Sequence, residues 1–141
     1  MELPVNLLLV DDVGEDADMF AYALESLGRP VHLQHECSVE SACDYLKGND
    51  IDEIPDIIIV DSFLRGPSGD QLLACIECVP QLAFVPIVVL SGAQLPSSGT
   101  ANPRIKVHYV KPVCIAELRA IVGEIVDTAG KYATDRMGQH A

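Results

Sequence analysis

The chain has 141 residues, of which 49% are hydrophobic and 21% charged, and its formal net charge is −12. That length suits one domain, the apolar fraction excludes a disordered chain, and no apolar run approaches the roughly 20 residues that cross a bilayer. The negative balance argues against nucleic acid as a partner, because phosphate affinity rests on Lys and Arg.

The opening stretch "MELPVNLLLVDD" has neither the basic start nor the small-residue cleavage site of a secretory leader, and acids follow its apolar run at once. It reads as a strand over 5–10 ending in Asp11 and Asp12. From Ala17 the apolar residues Ala17, Ala21, Leu24 and Leu27 recur at helical spacing until Gly28 and Pro30. "VHLQHEC" then alternates as a strand, Ser38 can cap a helix carrying Val39, Ala42, Cys43 and Leu46, and "GND" at 48–50 ends it.

"DIIIVD" is apolar on both faces and rich in Ile and Val, as the centre of a covered parallel sheet requires. After "SFLRGPSG" a helix carries Leu72, Leu73, Ile76 and Val79 to Pro80, and "PIVVLS" and "IKVHYV" are the fourth and fifth strands. Between those two, "GAQLPSSGTANPR" holds two prolines where a crossover helix would stand, so a loop or short turn is expected. The final helix aligns Ile115, Leu118, Ile121, Val122, Ile125 and Ala129, and the polar residues 131–141 are expected to form a flexible tail behind a domain at 1–130.

Five strands alternating with helices imply a doubly wound α/β fold, a parallel sheet covered on both faces. Cysteines at 37, 43, 75, 78 and 114 make an odd count with no disulfide framework, which fits a reducing cytoplasm. Cys75 and Cys78 lie mid-helix with no second pair to complete a zinc site, so both are expected in the core. The four histidines show no ligand spacing and are assigned surface or packing roles.

Open parallel sheets bind ligands beyond the carboxyl ends of their strands. Those ends deliver Asp11 and Asp12 from the first strand, Asp61 from the third, Ser91 from the fourth and Lys111 from the fifth. Three carboxylates there offer hard oxygen ligands for Mg²⁺, an ion that brings phosphate into its shell. A shared cation explains why adjacent acids are tolerated at the end of a buried strand. Lys111 and Ser91 suit the oxygens of a transferring phosphoryl group, and Asp61 can be its nucleophile.

In "LLLVDD", "IIIVDS", "PSGDQLL", "VVLSG" and "VHYVKP", in that order, the sequence resembles the response regulator receiver family over nearly its whole length. The resemblance implies the flavodoxin-like receiver fold, with the helix before the fifth strand shortened or replaced by a loop. It makes Asp61 the phosphoacceptor, and it makes Asp12 and Asp61 direct Mg²⁺ ligands with Asp11 assisting and the Phe63 carbonyl completing the protein ligands. It assigns Ser91 and Lys111 to the phosphoryl group and a cis peptide to Pro112.

The implied function is that of a cytoplasmic single-domain response regulator in two-component or phosphorelay signalling, not a turnover enzyme. It receives phosphate from a histidine kinase or phosphotransfer protein and signals by protein contact; a homodimer stays open. The alternative is a pseudo-receiver that binds partners without phosphate. Two departures bear on that choice. The aromatic residue usual three positions before the lysine is replaced by His108, with Tyr109 adjacent and on the opposite strand face, and the proline usual after the acceptor is replaced by Arg65.

Overall fold

The computed structural model describes residues 4–48, 54–61, 67–91, 105–110, 112 and 114–139. At positions 61, 67–70, 81, 91, 105–108 and 134–139 the description is of the backbone.

The chain runs β1 (Val5–Val10), α1 (Gly14–Leu27), β2 (Val31–Glu36), α2 (Val39–Gly48), β3 (Ile57–Asp61), α3 (Pro67–Glu77), a 3-10 turn at Pro80–Leu82, β4 (Ile87–Ser91), β5 (Ile105–Val110) and α4 (Ile115–Gln139). The strands form one sheet in the order β2-β1-β3-β4-β5, parallel at every pairing. This is the doubly wound α/β architecture expected of the flavodoxin-like receiver fold. The chain leaves β1 toward β2 on one side and returns to β3 on the other, so the switch in winding direction lies between β1 and β3.

Strand alternation divides the core in two. Leu7, Leu9, Ile57, Ile59, Val88 and Leu90 face α1 and α4, where Phe20, Leu24, Val122, Ile125 and Ala129 meet them. Leu8, Val10, Ile58, Val60 and Ile87 face α2 and α3, where Ala42, Cys43, Leu46, Leu72 and Ile76 complete the second core. Positions buried on both faces of a strand leave no place for a polar side chain, which is why Leu7–Val10 of β1 and Ile57–Val60 of β3 read as unbroken apolar runs.

The helix ends follow local chemistry. Ser38 caps α2 through its hydroxyl, which accepts from the Ser41 amide at 3.0 Å. Gly28 closes α1 in the left-handed region at φ 66°, its amide donating to the Glu25 carbonyl at 3.2 Å. α1 starts at Gly14, ahead of the apolar repeat, and Val13 before it supplies no side-chain cap.

At the other end, α4 continues through Gln139 and buries Ala133 in the first core, so the backbone expected to become a tail at 131 is still helical. Small residues at 129 and 133 keep the apolar stripe going beneath a polar exterior. The segment where a shortened helix was expected, 92–104, lies outside the described residues.

Candidate functional site

The register of the sheet brings the strand-end residues together. Val10 pairs with Val60, so the next positions, Asp11 and Asp61, are set side by side on neighbouring strands about 5 Å apart. On the other side of β3, Asp61 pairs with Leu90, which puts Ser91 one residue beyond it. Ser91 in turn pairs with Val110, the residue before Lys111. The Asp61 and Ser91 side chains, Phe63, Lys111 and the Lys111–Pro112 peptide lie outside what is described.

Asp11 is 3% exposed, whereas Asp12 is exposed at the surface. The Asp11 carboxylate accepts from the Val13 amide at 2.9 Å, a local turn that also readies the chain for α1. The Asp11 amide donates to the Glu36 carbonyl at 3.1 Å, extending the β1–β2 ladder by one bond. Its own carbonyl accepts from Nε2 of His35 at 2.8 Å. The residue is thus fixed at its amide, its carbonyl and its side chain, while Asp12 projects into solvent.

A cavity of about 160 Å³ opens beside this turn, between the beginnings of α1 and α4. Asp11 and Asp16 line it together with Phe20, Leu90, Pro112 and Cys114. Among the described residues no three His, Cys, Asp or Glu side chains converge on one point. The donor set that sequence and register align, carboxylate oxygens from adjacent strand ends, nevertheless fits a hard divalent cation in its chemistry.

His35, expected like the other histidines in a surface or packing role, is bonded to the backbone of the acidic turn. One sequence expectation needs correction here. Cys78 was expected in the core with Cys75; Cys75 is buried on α3, but Cys78 is exposed in the turn after the helix, its amide donating to the carbonyls of Ala74 and Cys75. Cys43 and Cys75 face each other across α2 and α3, and burial followed by the neighbouring Cys75 thiol pushes the Cys43 thiol up to about 12.

The expectation for Tyr109 holds. It packs against the α1–α4 core and its hydroxyl donates to Oε2 of Glu124 on α4 at 2.9 Å. It pairs with Leu90, a residue of that same core, while His108 pairs with Val89 one position back. A bulge at Lys106, between the Ile87–Ile105 and Val88–Val107 pairs, lies upstream and leaves this alternation intact.

No family model and no curated protein matches the chain. Solved structures do. The phosphorylated cyanobacterial phytochrome response regulator RcpA matches at TM-score 0.73 and 24% identity, over 87% of this chain and 91% of its own. The response regulator Rcp1, solved in its Mn²⁺-bound form, matches at TM-score 0.69 and 22% identity, over 86% and 91%. The receiver domain of a sensor histidine kinase from Pseudomonas aeruginosa PAO1, with a magnesium ion coordinated in its active site cleft, matches at TM-score 0.66 and 21% identity, over 86% and 97%. With its five-stranded parallel sheet, its winding switch between β1 and β3 and these structural matches, the chain has the response regulator receiver fold.

Proposed function

We propose that the chain is a phosphoacceptor receiver of two-component or phosphorelay signalling, with Asp61 taking a phosphoryl group from a histidine kinase or phosphotransfer protein. The observation that carries this reading is the register that sets buried Asp11 beside Asp61 at the winding switch, with Ser91 one step away on β4. Ligands of open parallel sheets bind at that edge.

An ionised Asp61 needs no external base, since its oxygen already carries the attacking lone pair. That oxygen forms the new P–O bond as the P–N bond of the donor phosphohistidine breaks, and the electron pair leaves with the imidazole. Asp11, Asp12, Asp61 and the Phe63 carbonyl would hold Mg²⁺, which when bound offsets charge on the phosphoryl oxygens. Ser91 donates a hydrogen bond to the group and Lys111 pairs with its charge. Output is protein contact, and the chain is a signalling domain, not a turnover enzyme. No helix among the described residues is long and apolar enough to cross a membrane.

The second reading, an interaction module that works without phosphate, is favoured by one feature: His108 stands where an aromatic switch is usual, and Tyr109 is bonded to α4 instead. One experiment separates the two. Protein incubated with Mg²⁺ and acetyl phosphate is weighed intact; a phosphate adduct in the wild type that disappears in Asp61→Asn supports the phosphoacceptor. No Asp61-dependent adduct supports the module.

A further inference from the structure

His35 lies against the acidic turn, and its bond goes to the peptide that joins the two acids. The Asp11 carbonyl, 2.8 Å from His35 Nε2, belongs to the Asp11–Asp12 peptide unit. A carbonyl can only accept, so the ring carries its proton on Nε2. Rotation of that peptide about its flanking bonds would swing the Asp12 carboxylate, because Asp12 is exposed and has left the strand.

His35 is well placed to prevent that. It pairs in register with Leu9 in the β1–β2 ladder, and β2 is itself an ordered strand that does not belong to the turn. The ring therefore links the turn to the sheet from outside. The bonds from the Asp11 amide to Glu36 and from the Val13 amide to Asp11 fix the two sides of the same turn at 3.1 and 2.9 Å. Neither constrains the peptide plane between the acids as directly as the His35 bond does.

We infer that His35 is a positioning residue for the acidic pair, holding the Asp11–Asp12 peptide in the orientation in which Asp12 meets a divalent cation. This rests on the phosphoacceptor reading, which supplies the cation. Outer-sphere partners that orient a ligand commonly change metal affinity by about 10–100-fold when removed. His35 would act at the lower end, since it grips the backbone and not the ligand atom itself.

The test is calorimetric Mg²⁺ titration of the wild type, His35→Leu and His35→Gln, with the melting temperature of each measured without metal. Leu keeps an apolar side chain on the strand but has no donor; Gln returns an N–H at similar reach. The expected result is a loss of about tenfold in Mg²⁺ affinity for His35→Leu, recovered in large part by His35→Gln, with metal-free melting temperatures alike. In the Asp12→Asn background, His35→Leu should then change Mg²⁺ affinity little, because the residue acts through Asp12.

Hydrogen exchange in the metal-free protein supplies a readout that needs no cation. The Val13 amide should exchange faster in His35→Leu while amides of the β1 core do not. Equal Mg²⁺ affinities with unchanged Val13 exchange overturn the inference and leave the phosphoacceptor reading standing. A loss of affinity that Gln fails to restore, accompanied by a lowered melting temperature, also overturns it, since that is general damage to the fold. A wild type that takes up no Mg²⁺ overturns both.

Discussion

Under the proposed function, Asp11 serves the turn and the cation site at once. Its carboxylate oxygen accepts from Val13, and an amide oxygen in the same place can accept that bond too, so Asp11→Asn keeps the turn while removing the charge. With Mg²⁺ at ten times its dissociation constant the wild type should gain about 1.4 kcal/mol by mass action, and Asp11→Asn clearly less at the same concentration. An equal gain in both would remove Asp11 from the cation site.

Tyr109 yields a pH prediction with a definite sign. Burial first, and then the bond to Glu124, push its phenol from 10.0 up to about 12. Between those values the folded chain keeps a proton that the unfolded chain has released. The stabilisation is complete below pH 10 and is lost as pH rises toward 12. The difference between the 295 nm titrations of the wild type and Tyr109→Phe should have its midpoint near 12. A midpoint at the ordinary phenol value would mean that neither the burial of the ring nor the bond to Glu124 persists in solution.

At the scale of elements, the three inner strands β1, β3 and β4 could be read from the sequence because burial on both faces leaves an unbroken apolar run, as in Leu7–Val10 and Ile57–Val60. The acids were legible for the complementary reason: a polar residue directly after such a run marks the sheet edge. His35 was not, because β2 is an edge strand of mixed polarity, and nothing in "VHLQHEC" separates a histidine facing solvent from one reaching the next strand's backbone. Cys78 was misplaced because periodicity carries on past the point where hydrogen bonding ends the helix.

Asp56 escaped notice for a similar reason. It precedes β3 and looks like a turn residue, yet it is 2% exposed and exchanges two bonds with Asn6, accepting from its amide at 2.8 Å and donating to its carbonyl at 2.7 Å. This pins the amino-terminal end of β3 to β1, at the opposite end of the sheet from the acids. Asp56→Ala leaves the Asn6 amide without its carboxylate partner and should cost about 2 kcal/mol in urea unfolding. Gly28→Ala, which meets no neighbouring atom, should cost about 1 kcal/mol from left-handed backbone strain alone.

For the molecule as a whole, the question is whether two cores on opposite faces of one sheet melt as one. β1, β3 and β4 contribute alternate residues to both, so neither core can be dismantled without exposing strands that the other requires. One cooperative unit follows. The cysteines report on it: Cys43 and Cys75 lie in the α2–α3 core, and Cys37, Cys78 and Cys114 are exposed. A thiol reagent should modify the exposed three at once and the buried pair only through unfolding, the Cys43 thiol being held further back by its elevated pKa. The opening free energy obtained from labelling that pair should equal the one obtained from hydrogen exchange at Val122, Ile125 and Val126 in the α1–α4 core. Easier opening at Cys43 and Cys75 would mean that α2 and α3 detach as a separate unit, and the shared strands would then not couple the two faces.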